Sequence, residues 1–380
     1  MAAAKSPNAR GRLEFLDSLR GLAAISVVWS HYTLAYVLPP TVERVLTYSP
    51  LHLLWDGTAA VSFFFVLSGF VLALKFFKES QPTSYFSYLI SRLGRIWLPY
   101  VVIIASSSLI KAYAFADHQT EPAQTEWVKA FWRSHTGLWD LVREANLFVR
   151  PTLFTLAPQA WSLFTEMTLS LFLPAAVAIA RRSLFQLGVL VLLLPAALDA
   201  PVFVLHFAMG LLLAQQYLAS AGKWSSIRPA WKVGLLSVAL YLYGFRFLGA
   251  PHLPMLNDGR SRSDDVINLI TAVGSVGVLF VALSSARLQA FLHTGLVRHL
   301  GKVSYSIYLC HFVILLTLTP LFIEKVNTHS VAGWPTAWFS GLVFLTVTTA
   351  LVSTFLHRWV ETPSLSLSKR VTACLLREVS

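Results

Sequence analysis

Two residues able to carry acid–base and anion chemistry, Arg20 and His31, stand in the apolar run 18–38. Their separation of eleven positions is three helical turns plus about 20°, so on a helix both side chains leave one face, about 16 Å apart along the axis. Imidazole exchanges protons near neutrality, and guanidinium is a permanent cation with a fork of donors. Charges inside a membrane-length helix cost about 3 kcal/mol even on insertion scales, so each one needs a reason.

Further such groups recur along the chain. Glu166 follows Trp161-Ser162-Leu163 inside the run 158–180, and Ser304, Tyr308 and His311 make an i, i+4, i+7 stripe with Tyr305 adjacent. Counting 1.5 Å per residue from the ends of each run places His31, Glu166 and His311 at one mid-membrane depth above Arg20. Each of them alone also fits an interhelical hydrogen bond; convergence over an arginine-lined path favours a site. His206 has no such neighbours and reads as structural. In Ser91-Arg92-Leu93-Gly94-Arg95-Ile96-Trp97-Leu98-Pro99-Tyr100 the two arginines read as standing at a helix N-terminus, where free N–H groups and guanidinium suit phosphate. Lipid headgroup contact is the alternative there.

The elements that must position these residues follow from composition. Of 380 residues, 56% are hydrophobic and only 13% charged, about half the charged share that a soluble surface needs. That excludes a soluble enzyme, a disordered chain and a nucleic-acid binder, despite a net charge of +12. The expectation is an all-α polytopic membrane protein with ten spans, at 18–38, 56–76, 96–116, 158–180, 183–199, 201–219, 233–249, 266–285, 303–323 and 334–357. Asp199-Ala200-Pro201 marks a tight turn between two of them. With both termini cytoplasmic, inner segments hold 20 Lys and Arg and outer segments 8, as the positive-inside rule requires. The domain reading is a cytoplasmic segment 1–17, a membrane domain 18–357 and a cytoplasmic tail 358–380, with one long outer loop, 117–157. No cleavable signal peptide is visible, so the first run is expected to stay as an anchor. Cys310 and Cys374 build neither a disulfide framework nor a zinc spacing, and no metal is expected.

Taken together, Leu16-Asp17-Ser18-Leu19-Arg20-Gly21-Leu22-Ala23-Ala24 running to His31, Phe63-Phe64-Phe65-Val66-Leu67-Ser68-Gly69-Phe70, the Arg92/Arg95/Pro99 segment, Trp161-Ser162-Leu163 with Glu166, Gly301-Lys302-Val303-Ser304-Tyr305-Ser306-Ile307-Tyr308-Leu309 with His311, and Glu361-Thr362-Pro363 resemble, in order, the acyltransferase-3 family of membrane O-acyltransferases. The resemblance implies a ten-helix enzyme that moves an acyl group, usually acetyl, from cytoplasmic acyl-CoA to a glycan or lipid-linked sugar. Many relatives carry an additional esterase-like domain; this chain, ending about 22 residues past its last span, is expected to act as a single unit. A transporter or lipid-sugar flippase using the polar midplane is the rival class, but paired broken helices and inverted repeats are not visible.

Acyl transfer to a hydroxyl needs a base, a thioester held close and donors for the oxyanion. On that reading His31 is the base, Glu166 orients it or the acceptor, and Tyr305, Tyr308 or His311 serves the oxyanion, with Ser304 beside them. Arg20 lines the donor path, and Arg92 and Arg95 hold the CoA phosphates. Trp127, Trp132 and Trp139 in the long loop offer flat faces to a sugar, or anchor the loop at the interface. Direct transfer and a covalent acyl-histidine relay are both open. From the charge asymmetry, reporter fusions at residue 135 and at the C-terminus are expected on opposite sides of the membrane; finding both on one side overturns the orientation.

Overall fold

The computed structural model describes residues 13–38, 40–78, 84–114, 124–132, 137–146, 155–189, 191, 202–256, 261–329 and 333–378. Among these residues the secondary structure is helical, and the one extended pairing is a bridge between Tyr36 and Gln124. The helices are α1 (Glu14–Ala35), α2 (Pro40–Thr47), α3 (Gly57–Lys78), α4 (Tyr85–Tyr113), α5 (Glu126–Lys129), α6 (Leu138–Ala145), α7 (Ala160–Arg182), α8 (Phe203–Ala219), α9 (Pro229–Tyr243), α10 (Ser261–Ser284), α11 (Ala286–Leu292), α12 (Gly295–Lys302), α13 (Ser304–Leu316), α14 (Leu318–His329), α15 (Trp334–Leu356) and α16 (Thr362–Glu378).

Among the described residues, five helices are long and apolar enough to cross a membrane: α3, α4, α7, α10, and α15 with its continuation to Leu375. Two bent pairs raise this to seven, α9 with Phe245–His252 at 75° and α12 with α13 at 74°. The 22-residue α1 is long enough, but Arg20, His31 and three serines dilute its apolar character. The expected span 183–199 and its closing turn lie largely outside the described residues. Two expected boundaries move. The third span starts at Tyr85, not at 96, because a π-helical turn at Leu93–Trp97 lets the helix run through Arg92 and Arg95. The residues after 357 continue α15 through a second π turn, His357–Glu361, into α16, which packs on the first π turn where Gly94 faces Ser368.

Small residues set the closest helix contacts, as expected where apolar burial alone gives no preference between neighbours. A Cβ on Gly21 meets Gly301 N at 2.4 Å, and one on Gly301 meets the Asp17 carbonyl carbon at 2.5 Å. Helices α1 and α12 therefore touch backbone to backbone, and Arg20 and Lys302 line one cavity. Gly69 of α3 and Gly210 of α8 make the same kind of contact, where an added Cβ would collide with Phe207 O and Val66 O. The described parts of the expected long outer loop are anchored to the helices. Glu144, buried in α6, accepts from Thr155 N (2.8 Å) and Leu156 N (2.9 Å), while Trp97 and Tyr100 of α4 donate to the carbonyls of Ala145 and Glu144, both at 2.8 Å.

Gly21→Leu is expected to push α1 off α12 and cost about 1–3 kcal/mol, read as a lower melting temperature in detergent. Gly234→Ala, with nothing within 4 Å of the new methyl, is the control; equal melting of the two variants contradicts the close contact.

Candidate active site at the meeting of two cavities

His31, near the end of α1, places Nδ1 2.8 Å from Nε2 of His311 on α13. The other nitrogen of His311, Nδ1, lies 2.9 Å from Tyr308 O and 3.2 Å from Ile307 O. Carbonyl oxygens only accept, so His311 Nδ1 carries the proton and its Nε2 accepts. His31 therefore donates through Nδ1, which leaves Nε2 with the free lone pair. A base fixed in one tautomer by a second group that is itself fixed is the arrangement by which catalytic imidazoles are oriented. Both nitrogens of His311 are engaged, as a group that positions His31 would be, and neither is free to serve an oxyanion as the sequence suggested.

The face of His31 is covered by Trp127, ring centroids 5.7 Å apart at 25°, and Phe312 meets it edge-on at 5.4 Å. Trp127 arrives because its segment is stitched to the end of α1. Thr125 N donates to Ala35 O (2.9 Å), Thr125 Oγ1 to Leu34 O (2.5 Å), and Gln124 bridges Tyr36. The other loop tryptophans are not brought here. Trp132, at φ 63°, lines neither cavity of the site. Trp139 is 73% exposed on α6 beside exposed Leu138 and Val142, an apolar face that suits lipid.

Glu166 is not a partner of His31. Its Oε1 accepts from Arg92 (3.0 Å) and Ser68 Oγ (3.1 Å). The depth expected to be shared is in fact divided into layers. Gln159, at the start of α7, donates to Leu309 O (3.1 Å), at the level of the imidazoles; Ser162 Oγ and Tyr308 Oη lie 2.7 Å apart in the middle; Glu166 lies seven residues below Gln159, about 10 Å. Straight-helix counting from assumed boundaries hid this offset. Arg92 is buried in the ion pair and belongs to the lowest layer, within α4 rather than at a helix N-terminus. Arg95 has no hydrogen-bonding partner among the described residues. Tyr305 donates to Ile96 O at 2.6 Å, satisfying a carbonyl in the π turn, so its hydroxyl is committed there.

Two cavities meet in the middle layer. The lower chamber, about 150 Å³, is walled by Arg20, Ser68, Arg92, Arg95, Ser162, Glu166, Ser304, Tyr305 and Tyr308. It continues through Arg20, Arg95, Ser304 and Tyr305 into a vestibule of about 740 Å³ that also holds Lys302, His357 and Glu361. The upper cavity, about 140 Å³, is lined by Ser30, His31, Leu34, Gln159, Trp161, Phe203 and Tyr308. Tyr308 and Val61 border both. Tyr308 Oη is also 3.1 Å from Gln159 O, and Ser162 Oγ is 3.1 Å from the same carbonyl. Ser68, Gln159, Ser162 and Glu361 were assigned no role from sequence, although all but Gln159 stand within motifs quoted there. His206 bonds Ser62 at 3.0 Å, away from both cavities, as the structural reading expected.

The helical bundle thus holds an oriented imidazole in the upper cavity, and the hydroxyls of Tyr308 and Ser162 stand between it and the cation-lined chamber. The profile of the acyltransferase-3 family, described as an acyltransferase domain, matches residues 13–358, and the chain belongs to that family. It is similar to the O-acetyltransferase PaAT-1 of Phomopsis amygdali, 23% identical over 430 aligned positions that cover 96% of this chain and 85% of that protein. No solved structure matches. The chain is an O-acyltransferase.

Replacing the acceptor for His31 Nδ1 is expected to lower turnover by about 10²-fold in His311→Leu, with the donor KM unchanged. His311→Gln, which keeps an acceptor oxygen, should recover part of the loss. A changed donor KM at normal kcat contradicts the positioning role.

Proposed function

We propose that this O-acyltransferase takes its acyl group from cytoplasmic acyl-CoA, acetyl-CoA foremost, through the vestibule and delivers it to a sugar hydroxyl of a cell-surface or lipid-linked glycan in the upper cavity. It would sit as a multi-pass protein of the cell membrane with the vestibule facing the cytoplasm. The observation that carries this reading is the shared wall at Tyr308. A thioester rising through the chamber stops at a hydroxyl layer, and the base stands on the other side of that layer. The chamber's volume suits a slender pantetheine arm, whose amides find Ser68, Ser162 and Ser304 on the walls.

In this reading the acceptor hydroxyl gives its proton to His31 Nε2 as its oxygen attacks the thioester carbonyl. The resulting imidazolium keeps its Nδ1 proton on His311 Nε2. Tyr308 and Ser162, which share Gln159 O as an acceptor, turn one O–H to the oxyanion; such donors contribute about 10²–10³ in rate. Collapse breaks the C–S bond, and the proton passes from His31 to the leaving sulfur, so acylated acceptor and free CoA result. Trp161 lines the upper cavity and offers a flat face for a sugar ring, while Trp127 covers the His31 imidazole.

The test is transfer of radiolabelled acetyl from acetyl-CoA to a glycan panel by purified protein in nanodiscs. His31→Ala is expected to lose about 10²–10⁴-fold while retaining its melting temperature. Near-normal transfer by folded His31→Ala overturns the assignment of the base.

A further inference from the structure

The vestibule holds more positive charge than its own carboxylates neutralise. Asp17 is engaged by Arg20 at 2.9 Å, and Glu361 accepts from Ser306 (2.9 Å) and His357 (3.0 Å). Among the described residues lining it, Arg95, Arg298 and Lys302 have no hydrogen-bonding or ion-pair partner, against one such carboxylate, Glu14. Arg95 is half-buried at the neck between vestibule and chamber. The carboxylates near Arg95, Glu166 and Glu361, are bonded to Arg92, Ser306 and His357 instead; a guanidinium partly withdrawn from water with no directly paired counter-ion is costly, so this position suits an anion that arrives with a ligand.

Arg298 and Lys302 are exposed, one turn apart on α12, with His299 beside them held at 3.1 Å by Thr354. The 74° bend to α13 lays α12 across the vestibule mouth, and the Gly21–Gly301 contact fixes it there. Residues i and i+4 on a helix face one way, so the two cations form a rim site. The volumes order the ligand: about 740 Å³ admits a nucleotide, and about 150 Å³ admits only a slender chain.

We infer that Arg298 and Lys302 bind the 3′-phosphate of the donor nucleotide at the vestibule rim, with Arg95 at the neck holding its pyrophosphate. This rests on acyl-CoA being the donor. It changes the assignment made from sequence: Arg92, neutralised by Glu166, holds the chamber wall, and the phosphate-binding cations are Arg95, Arg298 and Lys302. Anionic lipid headgroups share the phosphate chemistry, so the experiment separates the two sources.

In nanodiscs of phosphatidylcholine alone, KM and kcat are measured with acetyl-CoA, acetyl-3′-dephospho-CoA and acetyl-pantetheine, and CoA binding is measured by calorimetry. For wild type, loss of the 3′-phosphate is expected to raise KM about 10–100-fold, the usual worth of a charged hydrogen bond, with kcat unchanged. Arg298→Ala/Lys302→Ala should raise the acetyl-CoA KM by a similar factor and weaken CoA binding in parallel, yet leave acetyl-3′-dephospho-CoA and acetyl-pantetheine unchanged. This pattern in the absence of anionic lipid supports the nucleotide site. Equal effects on all three donors, or an effect seen only when phosphatidylserine is included, overturns it while the donor reading stands. Wild-type protein that neither binds CoA nor uses acetyl-CoA overturns the donor reading, and this inference with it.

Discussion

The 2.8 Å hydrogen bond from His31 Nδ1 to His311 Nε2 is the interaction on which the rest of the site depends. It exists because α1 and α13 lie side by side, which the glycine contact between α1 and α12 secures just below. Its direction is dictated one step further away, by carbonyls of α13 that take the His311 Nδ1 proton. The free lone pair of His31 is therefore a consequence of backbone geometry. The segment carrying Trp127 completes the enclosure, since its bridge to Tyr36 puts an indole over the imidazole.

Below this pair the site is stratified. Arg92 and Glu166 form an ion pair in the chamber wall, and such a pair inside a protein is retained only when both charges are compensated; Ser68 supplies a further hydrogen bond to the carboxylate. The hydroxyls of Tyr308 and Ser162 separate this charged layer from the imidazoles. Two π-helical turns face the same region, Leu93–Trp97 and His357–Glu361. Each frees backbone and re-aims side chains, as such turns do at functional sites. The first places Arg95 at the neck, and the second brings Glu361 under Ser306.

What was legible in the sequence follows from regular geometry. Arg20 and His31, eleven residues apart, do share a face of α1, because that helix is uninterrupted from Glu14 to Ala35. The stripe of Ser304, Tyr308 and His311 lies on α13 for the same reason, and its members line the chamber or meet His31. What was not legible follows from broken regularity and long-range pairing. A π turn shifts the phase of a helix without any residue that announces it, so Arg92 and Arg95 looked equivalent although one is paired and the other is not. Glu166 was placed beside His31 by counting from a boundary, whereas its partner comes from α4, 74 positions earlier. Tryptophans of one loop looked alike as well, and only the stitching of Gln124 and Thr125 to α1 distinguishes Trp127 from Trp139.

The central claim is that the donor's acyl carbon reaches the Tyr308 layer from below and finds His31 Nε2 on the other side. Cryo-electron microscopy of the protein in nanodiscs with a non-hydrolysable thioether analogue of acetyl-CoA tests this directly. The account predicts the analogue's sulfur in the lower chamber, with its acyl carbon between Tyr308 Oη and His31 Nε2. An acyl end seated away from His31, or an analogue bound outside the vestibule and chamber, would contradict it.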